Sequence, residues 1–204
     1  MDNNIDTIKI VHLIWLGEKP MYDKYIDSIK TFLPDFEIKI WRDKECMNYI
    51  TECEYAKKHY LLKDYCFVSD YCRFRILYDF GGVYVDTDVE FVRGIDDLIK
   101  KGSFLATEDI FSRVGSGHIM YFNHTNAECL KCCIDIYHQY PGYEILIDGE
   151  VLAFSIKKYD YKRIDENQIL TNGITVYDSS YFNGVSTDNP NTRSIHHYTR
   201  FWKK

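Results

Sequence analysis

No apolar run in the 204 residues approaches the roughly 18 needed to cross a bilayer. A concentrated Lys/Arg stripe is missing too, and the net charge is −6. Nucleic acid as a polymeric partner is therefore not expected, because a polyanion needs a local positive field. The opening "MDNNIDTIK" lacks the basic and apolar regions of a secretory signal. Repeats, low-complexity segments and linkers are absent, so the expectation is one domain over residues 1–204. The 7 cysteines are odd in number and do not make a disulfide framework. Reduced thiols in the cytoplasm are expected, with peripheral contact to a membrane surface left open. "CLKCC" contains a C-x-x-C without a second pair or a nearby histidine, and reads as packing cysteine in a helix.

What the chain does have is 18 tyrosines, side chains with a stacking face and a hydrogen-bonding tip. They suit polar ring ligands, or serve as large half-buried surface residues. An acidic chain that takes a phosphorylated small molecule needs a local offset for charge, and a divalent cation is one.

Local patterns give an α/β protein. "IKIVHLIWLG" (8–17) is a buried strand, 22–34 a helix stopped by Pro34, and "FEIKIW" (36–41) a second strand. Strand, helix and strand in about 35 residues make a βαβ unit and a parallel pair. Helices are expected over 45–63 and 66–80, the latter ending at Gly81-Gly82. "VYVDTDVEFV" is a third strand with an interruption, "DDLIKK" a short helix and "SFLATED" a strand. "SRVGSGH" reads as a glycine-bearing loop, and 126–139 as a helix with an Asn or Thr cap. Another helix is expected over 149–158, and a late strand and turn in "GITVYDSSYFN".

In "FGGVYVDTDVEF" (80–91), Asp86 and Asp88 follow a buried strand. A D-x-D triplet alone means little among 20 aspartates. In an extended segment, however, residues i and i+2 share a side, and ligands of open parallel sheets sit at the strands' carboxyl ends. Two hard oxygens there suit Mg²⁺ or Mn²⁺ carrying a diphosphate; two solvated turn aspartates are the alternative. Asp70 and Arg73 in "SDYCRF" share a helix face, as an exposed ion pair or as contacts to sugar and phosphate. Trp15 is core filler or a stacking platform for a nucleobase. His196 and His197 form a metal-capable pair. Glu108, Asp109, Asp148 and Glu150 offer acceptors for sugar hydroxyls, with surface carboxylates as the plainer account.

"VHLIWLG", "FVSDYCRFRILYDFGGVYVDTDVE" and "SIHHYTRFW" together resemble the DXD-type glycosyltransferases. That family includes the yeast initiating α-mannosyltransferase and bacterial capsular sugar transferases, and the clostridial glucosylating toxins share its core motifs. The resemblance is close in the N-terminal half and at the last ten residues, and poor over 110–170. It implies a GT-A fold: a Rossmann-like, mostly parallel sheet flanked by helices. Residues 1–100 would be the nucleotide-sugar and metal half, and 101–204 the acceptor-side half.

By the same resemblance the catalytic set is Asp70, Arg73, Asp86 and Asp88. Trp15 would stack on the base, Asp70 and Arg73 hold the donor sugar, and Tyr84 lie near the nucleoside. Asp86 would contact ribose or sugar and reach the metal through water, and Asp88 would ligate Mn²⁺ or Mg²⁺ directly. His197 would complete the shell, with His196 as second choice, and Trp202 matches the family's closing tryptophan. Arg200 stands where the family has glycine. The implied reaction is retaining transfer of a hexose, from UDP-sugar in preference to GDP-sugar, giving an α-linkage. The acceptor would be a glycan, a lipid-linked saccharide or a protein hydroxyl. A non-catalytic binder on the same scaffold and a nucleotide-sugar hydrolase are the rival readings.

Overall fold

The computed structural model describes residues 7–21, 23–108, 113–140, 145–183 and 188–199. Trp202, Arg200 and Asp109 lie outside them.

The first apolar run forms strand β1 (Ile10–Ile14). Helix α1 (Ile26–Phe32) then returns the chain to β2 (Glu37–Trp41), which pairs with β1 in parallel from Ile10↔Glu37 to Ile14↔Trp41. The expected helix over 45–63 is instead two, α2 (Asp43–Glu52) and α3 (Glu54–Leu62), broken at an extended Cys53. Packing explains the break. On one continuous helix Ala56 would sit about 80° around the axis from Cys46, yet both are fully buried against the same core. Helix α4 (Tyr65–Phe80) ends at Gly81 with φ 63°, and Gly82 follows with φ 83°. A Cβ at Gly82 would stand 2.7 Å from the Ile10 carbonyl oxygen, so only glycine fits this turn.

Strand β3 (Gly82–Tyr84) lies beside β1 in parallel. The interruption expected after it is a change of sheet. Residues 85–88 turn, Val89 N–H closing on the Asp86 carbonyl at 3.2 Å, and β4 (Val89–Phe91) pairs elsewhere. After α5 (Asp96–Ile99) and β5 (Phe104–Glu108) comes β6 (Arg113–Phe122), where the sequence reading has a loop. The glycines of "VGSGH" mark close approaches within a strand rather than a loop. Helix α6 (Glu128–Gln139) carries no side-chain cap; Ala127 holds the cap position and Asn126 is left-handed with φ 61°. The described chain continues through α7 (Asp148–Ile156), β7 (Gln168–Ile169), β8 (Thr175–Tyr177), α8 (Ser179–Phe182) and β9 (Ser194–His196).

Seven strands form one sheet in the order β2-β1-β3-β6-β5-β8-β7, and β4 pairs with β9 in a separate antiparallel ribbon. Only β6 and β7 run against the other five, so the sheet is mostly parallel. Strand alternation splits the core. Val11, Leu13, Val83 and Ile119 face a cluster with α1, α5 and α8. Ile14, Tyr84, Met120 and Phe122 face the larger cluster with α2, α3, α4, α6 and α7. The "CLKCC" cysteines sit on α6, where Cys129 and Cys133 are core residues and Cys132 is half-buried.

Candidate active site

A cleft of about 610 Å³ opens where β1 and β3 end, within the range of small-molecule sites. Its floor is Arg73, which projects from α4 with its side chain 4 % exposed. The guanidinium reaches Asp70 Oδ1 at 2.7 Å, Asp148 Oδ2 at 3.2 Å and Asp86 Oδ1 at 3.4 Å. It also donates to Ser116 Oγ at 2.9 Å and lies 4.9 Å over the Tyr84 ring. Burial opposes its charge, and Tyr84 and the three carboxylates more than offset that. Burial, and then the neighbouring Asp148, push Asp70 well above the usual carboxylate range against the pull of Arg73.

Asp70 and Arg73 thus form an ion pair, but not the exposed one that their spacing also allowed. Asp148 corrects the surface-carboxylate account more sharply. It stands at the start of α7 and closes the Arg73 cluster, with Ser116 Oγ hydrogen-bonded to it. Glu108 pairs with Arg113 at 2.8 Å on the cleft's rim, and Glu150 pairs with Arg163 outside it.

The two aspartates of the triplet diverge. Asp86 faces the Arg73 floor, accepting from Tyr84 Oη at 2.8 Å, while its backbone N–H bonds to the Gly117 carbonyl at 2.9 Å. Gly117 is needed there, since a Cβ would lie 2.5 Å from Asp86 Oδ2. Asp88 faces the C-terminal segment. It accepts from Thr199 N–H and Thr199 Oγ1, each at 2.8 Å, and meets His196 Nε2 at 3.0 Å. Burial works against its charge, but these donors outweigh burial and hold its pKa down to about 2.

One ligand atom each from Asp86, Asp88 and His196 lies within 4.8 Å of the others. This donor set fits a divalent ion. It joins two hard carboxylate oxygens to one imidazole nitrogen. His197, the first choice from the resemblance, points elsewhere. Its Nε2 meets Glu90 Oε2 at 2.8 Å and its ring stacks on Tyr25 at 4.4 Å. Pairing of β9 with β4 explains the exchange. His196 pairs with Val89 and lines the cleft, while its neighbour, on the alternate face of the strand, does not.

Trp15 follows β1 at the cleft's opposite end, its Nε1 donating to the Lys19 carbonyl at 2.8 Å. Gly17 N–H to Asp43 Oδ2, 2.9 Å, anchors that loop. Ser116, Gly117 and His118, from the segment taken for a loop, are among the lining residues that escaped the sequence reading, as are Tyr198 and Thr199. His118 is buried, its Nε2 2.8 Å from Tyr198 Oη, and burial followed by the nearby His196 pushes its pKa down to about 3.

Residues 21–105 match the family described as the glycosyltransferase sugar-binding region containing the DXD motif. The matched segment holds Asp70, Arg73, Tyr84, Asp86 and Asp88. Among curated relatives, inositol phosphoceramide mannosyltransferase 1 of Schizosaccharomyces pombe is 27% identical over 112 residues, 50% of this chain and 35% of the relative. Inositol phosphoceramide mannosyltransferase 3 of the same organism is 32% identical over 97 residues, 45% of this chain and 27% of the relative. The matches thus span about a third or less of those proteins' lengths. The solved structure titled PaToxG Glycosyltransferase superposes with a TM-score of 0.57 at 18% identity, covering 74% of this chain and 69% of that one. The fold is GT-A. Among the described residues no helix is long and apolar enough to cross a membrane.

Proposed function

We propose that the protein is a metal-dependent glycosyltransferase that moves a hexose from a nucleoside diphosphate sugar to a hydroxyl acceptor with retention, giving an α-linkage. The observation that carries this is the convergence of Asp86, Asp88 and His196 beside the Arg73 cluster in one cleft. Mn²⁺ suits this donor set better than Mg²⁺, because one of the three ligands is imidazole. A divalent ion held by Asp86, Asp88 and His196 would supply Lewis acidity to a departing diphosphate.

The chain's own groups do the rest. Trp15 offers a face for the base, and Tyr84, buried beneath Arg73, keeps Asp86 in place. Arg73 is a fixed positive charge already in position for the charge that develops on the leaving group. Its three carboxylate partners leave the pocket with surplus acceptors, which suits the hydroxyls of a sugar. UDP-hexose remains the favoured donor by family resemblance, and the mannosyltransferase relatives keep a mannose donor in contention. The names of those relatives likewise favour a lipid-linked acceptor over a free glycan or a protein hydroxyl. A cytoplasmic setting accords with the free cysteines.

The test is sugar release and transfer from UDP- and GDP-hexoses with Mn²⁺, with Mg²⁺ and with EDTA. Turnover of one donor, dependent on the metal and lost in Asp88→Ala, is expected. Equal turnover in Asp88→Ala would overturn the metal-dependent site, and no turnover with any donor would favour a non-catalytic binder.

A further inference from the structure

A histidine that ligates a metal is usually oriented by a hydrogen bond from its second ring nitrogen. In His196 that bond is missing, for Nδ1 is buried with no partner. Two other rings hold the imidazole instead. Tyr198 stacks on one face, with centroids 4.2 Å apart and planes 23° from parallel. His118 meets it edge-on at 4.7 Å and 83°. Those two rings are themselves tied together, His118 Nε2 lying 2.8 Å from Tyr198 Oη, which donates onward to Asn183 Oδ1 at 3.0 Å.

Both supports are built at some cost. Tyr198 adopts φ 48°, a left-handed conformation rare for an aromatic residue, and strain of this kind persists where the surroundings enforce it. His118 is 2 % exposed and demands a glycine at 115, where a Cβ would lie 2.8 Å from His118 Nδ1. The supports also come from different parts of the chain, the middle of β6 and the segment after β9. They therefore join the cleft's wall to the C-terminal segment that carries His196.

We infer that His118 and Tyr198 are positioning residues of the candidate metal centre, clamping the His196 imidazole between two rings so that its edge faces Asp86 and Asp88. The inference rests on the metal-dependent reading above and adds a role for two residues outside the matched sugar-binding region. Neither touches the ion. Each acts through His196, so its contribution exists only while His196 is present.

That dependence makes the test decisive. Mn²⁺ alone is titrated into the full chain and free Mn²⁺ is read by electron paramagnetic resonance. The proteins are wild type, Tyr198→Ala, His118→Ala and His196→Ala, with each clamp variant also made in the His196→Ala background. Tyr198→Ala and His118→Ala should each raise the Mn²⁺ Kd by about 10- to 100-fold, the effect typical of groups that orient a ligand. In the His196→Ala background the same changes should add less than about twofold, a coupling that general loosening of the fold would not produce. Tyr198→Phe keeps the stack and loses only the hydroxyl, so it should fall between wild type and Tyr198→Ala. Thermal midpoints without metal identify any variant that fails to fold. In that event Tyr198→Phe and His118→Phe carry the comparison. Unchanged Kd in the clamp variants, or equal losses with and without His196, would overturn the inference while leaving the metal site standing. No Mn²⁺ binding by wild type would overturn both.

Discussion

On one side of the cleft a single buried cation, Arg73, answers three carboxylates; on the other a single carboxylate, Asp88, answers three donors from His196 and Thr199. The first side is assembled mostly from residues close in sequence, Asp70 to Asp86, with Asp148 added from α7. Asp88 depends wholly on partners more than 100 residues away. The Arg73 side has more carboxyl oxygens than one guanidinium can occupy, so it is set to receive hydroxyl donors. The Asp88 side is saturated, and its exchange of protein donors for a metal ion would involve the C-terminal segment. In the proposed function the two sides would divide the work, the Arg73 side holding the sugar and the Asp88 side, linked to the C-terminal segment, holding the ion.

The largest expected effect falls on the Arg73 side. Arg73→Met should destabilise the protein by about 3–5 kcal/mol in denaturant unfolding, because three carboxylates lose a buried partner at once. If the loss is under about 1 kcal/mol, the Arg73 cluster is not the electrostatic keystone described. Next comes the baseline beneath both sides. His12 on β1 is fully buried, with Nε2 3.0 Å from the Gly81 carbonyl and Nδ1 accepting from Trp41 Nε1. Burial lowers its pKa from the ordinary 6.5 to about 4, so the unfolded chain takes up a proton that the fold refuses. The contribution of His12 to stability is thus full above pH 6.5 and falls as the pH drops toward 4, by about 3 kcal/mol at most. His12→Asn should reduce the pH slope in urea titrations at pH 7, 5.5 and 4, leaving the part due to His118.

Smaller effects separate the two aspartates. Gly117→Ala should displace Asp86 and weaken donor binding roughly tenfold in calorimetry, while Mn²⁺ binding through Asp88 and His196 changes less. A reversed pattern would mean that Asp86 serves the ion more than the sugar side. His197→Ala should cost less than about 1 kcal/mol, as its Glu90 pairing is half-exposed, and should leave the Mn²⁺ Kd unchanged. Loss of metal binding in that variant would restore His197 to the role the resemblance gave it.

Much of the frame was legible because its signals are local. The βαβ start, the glycine stop after α4 and the D-x-D turn each depend on a few adjacent residues. The Asp88 partners are paired through the β4–β9 ribbon, and one step of register decides which of two adjacent histidines faces the cleft. No local pattern carries that choice. The split at Cys53 was hidden for the same reason, since each half has helical spacing and only the shared core requires the break. The segment 113–118 misled because glycine in a strand and glycine in a loop look alike until the approach of Asp86 and His118 is known. Asp148 was visible as a carboxylate but not as a partner of Arg73, 75 residues away.

The central claim is that this cleft binds a nucleotide-sugar together with a divalent ion. It is tested most directly by the thermal midpoint with Mn²⁺ across a panel of UDP- and GDP-sugars, beside Asp88→Ala. Binding only to the folded state raises the midpoint, and no acceptor need be known. The account predicts a rise with one base, dependent on Mn²⁺ and absent in Asp88→Ala. A midpoint unmoved by every donor, or raised equally in the variant, would contradict it.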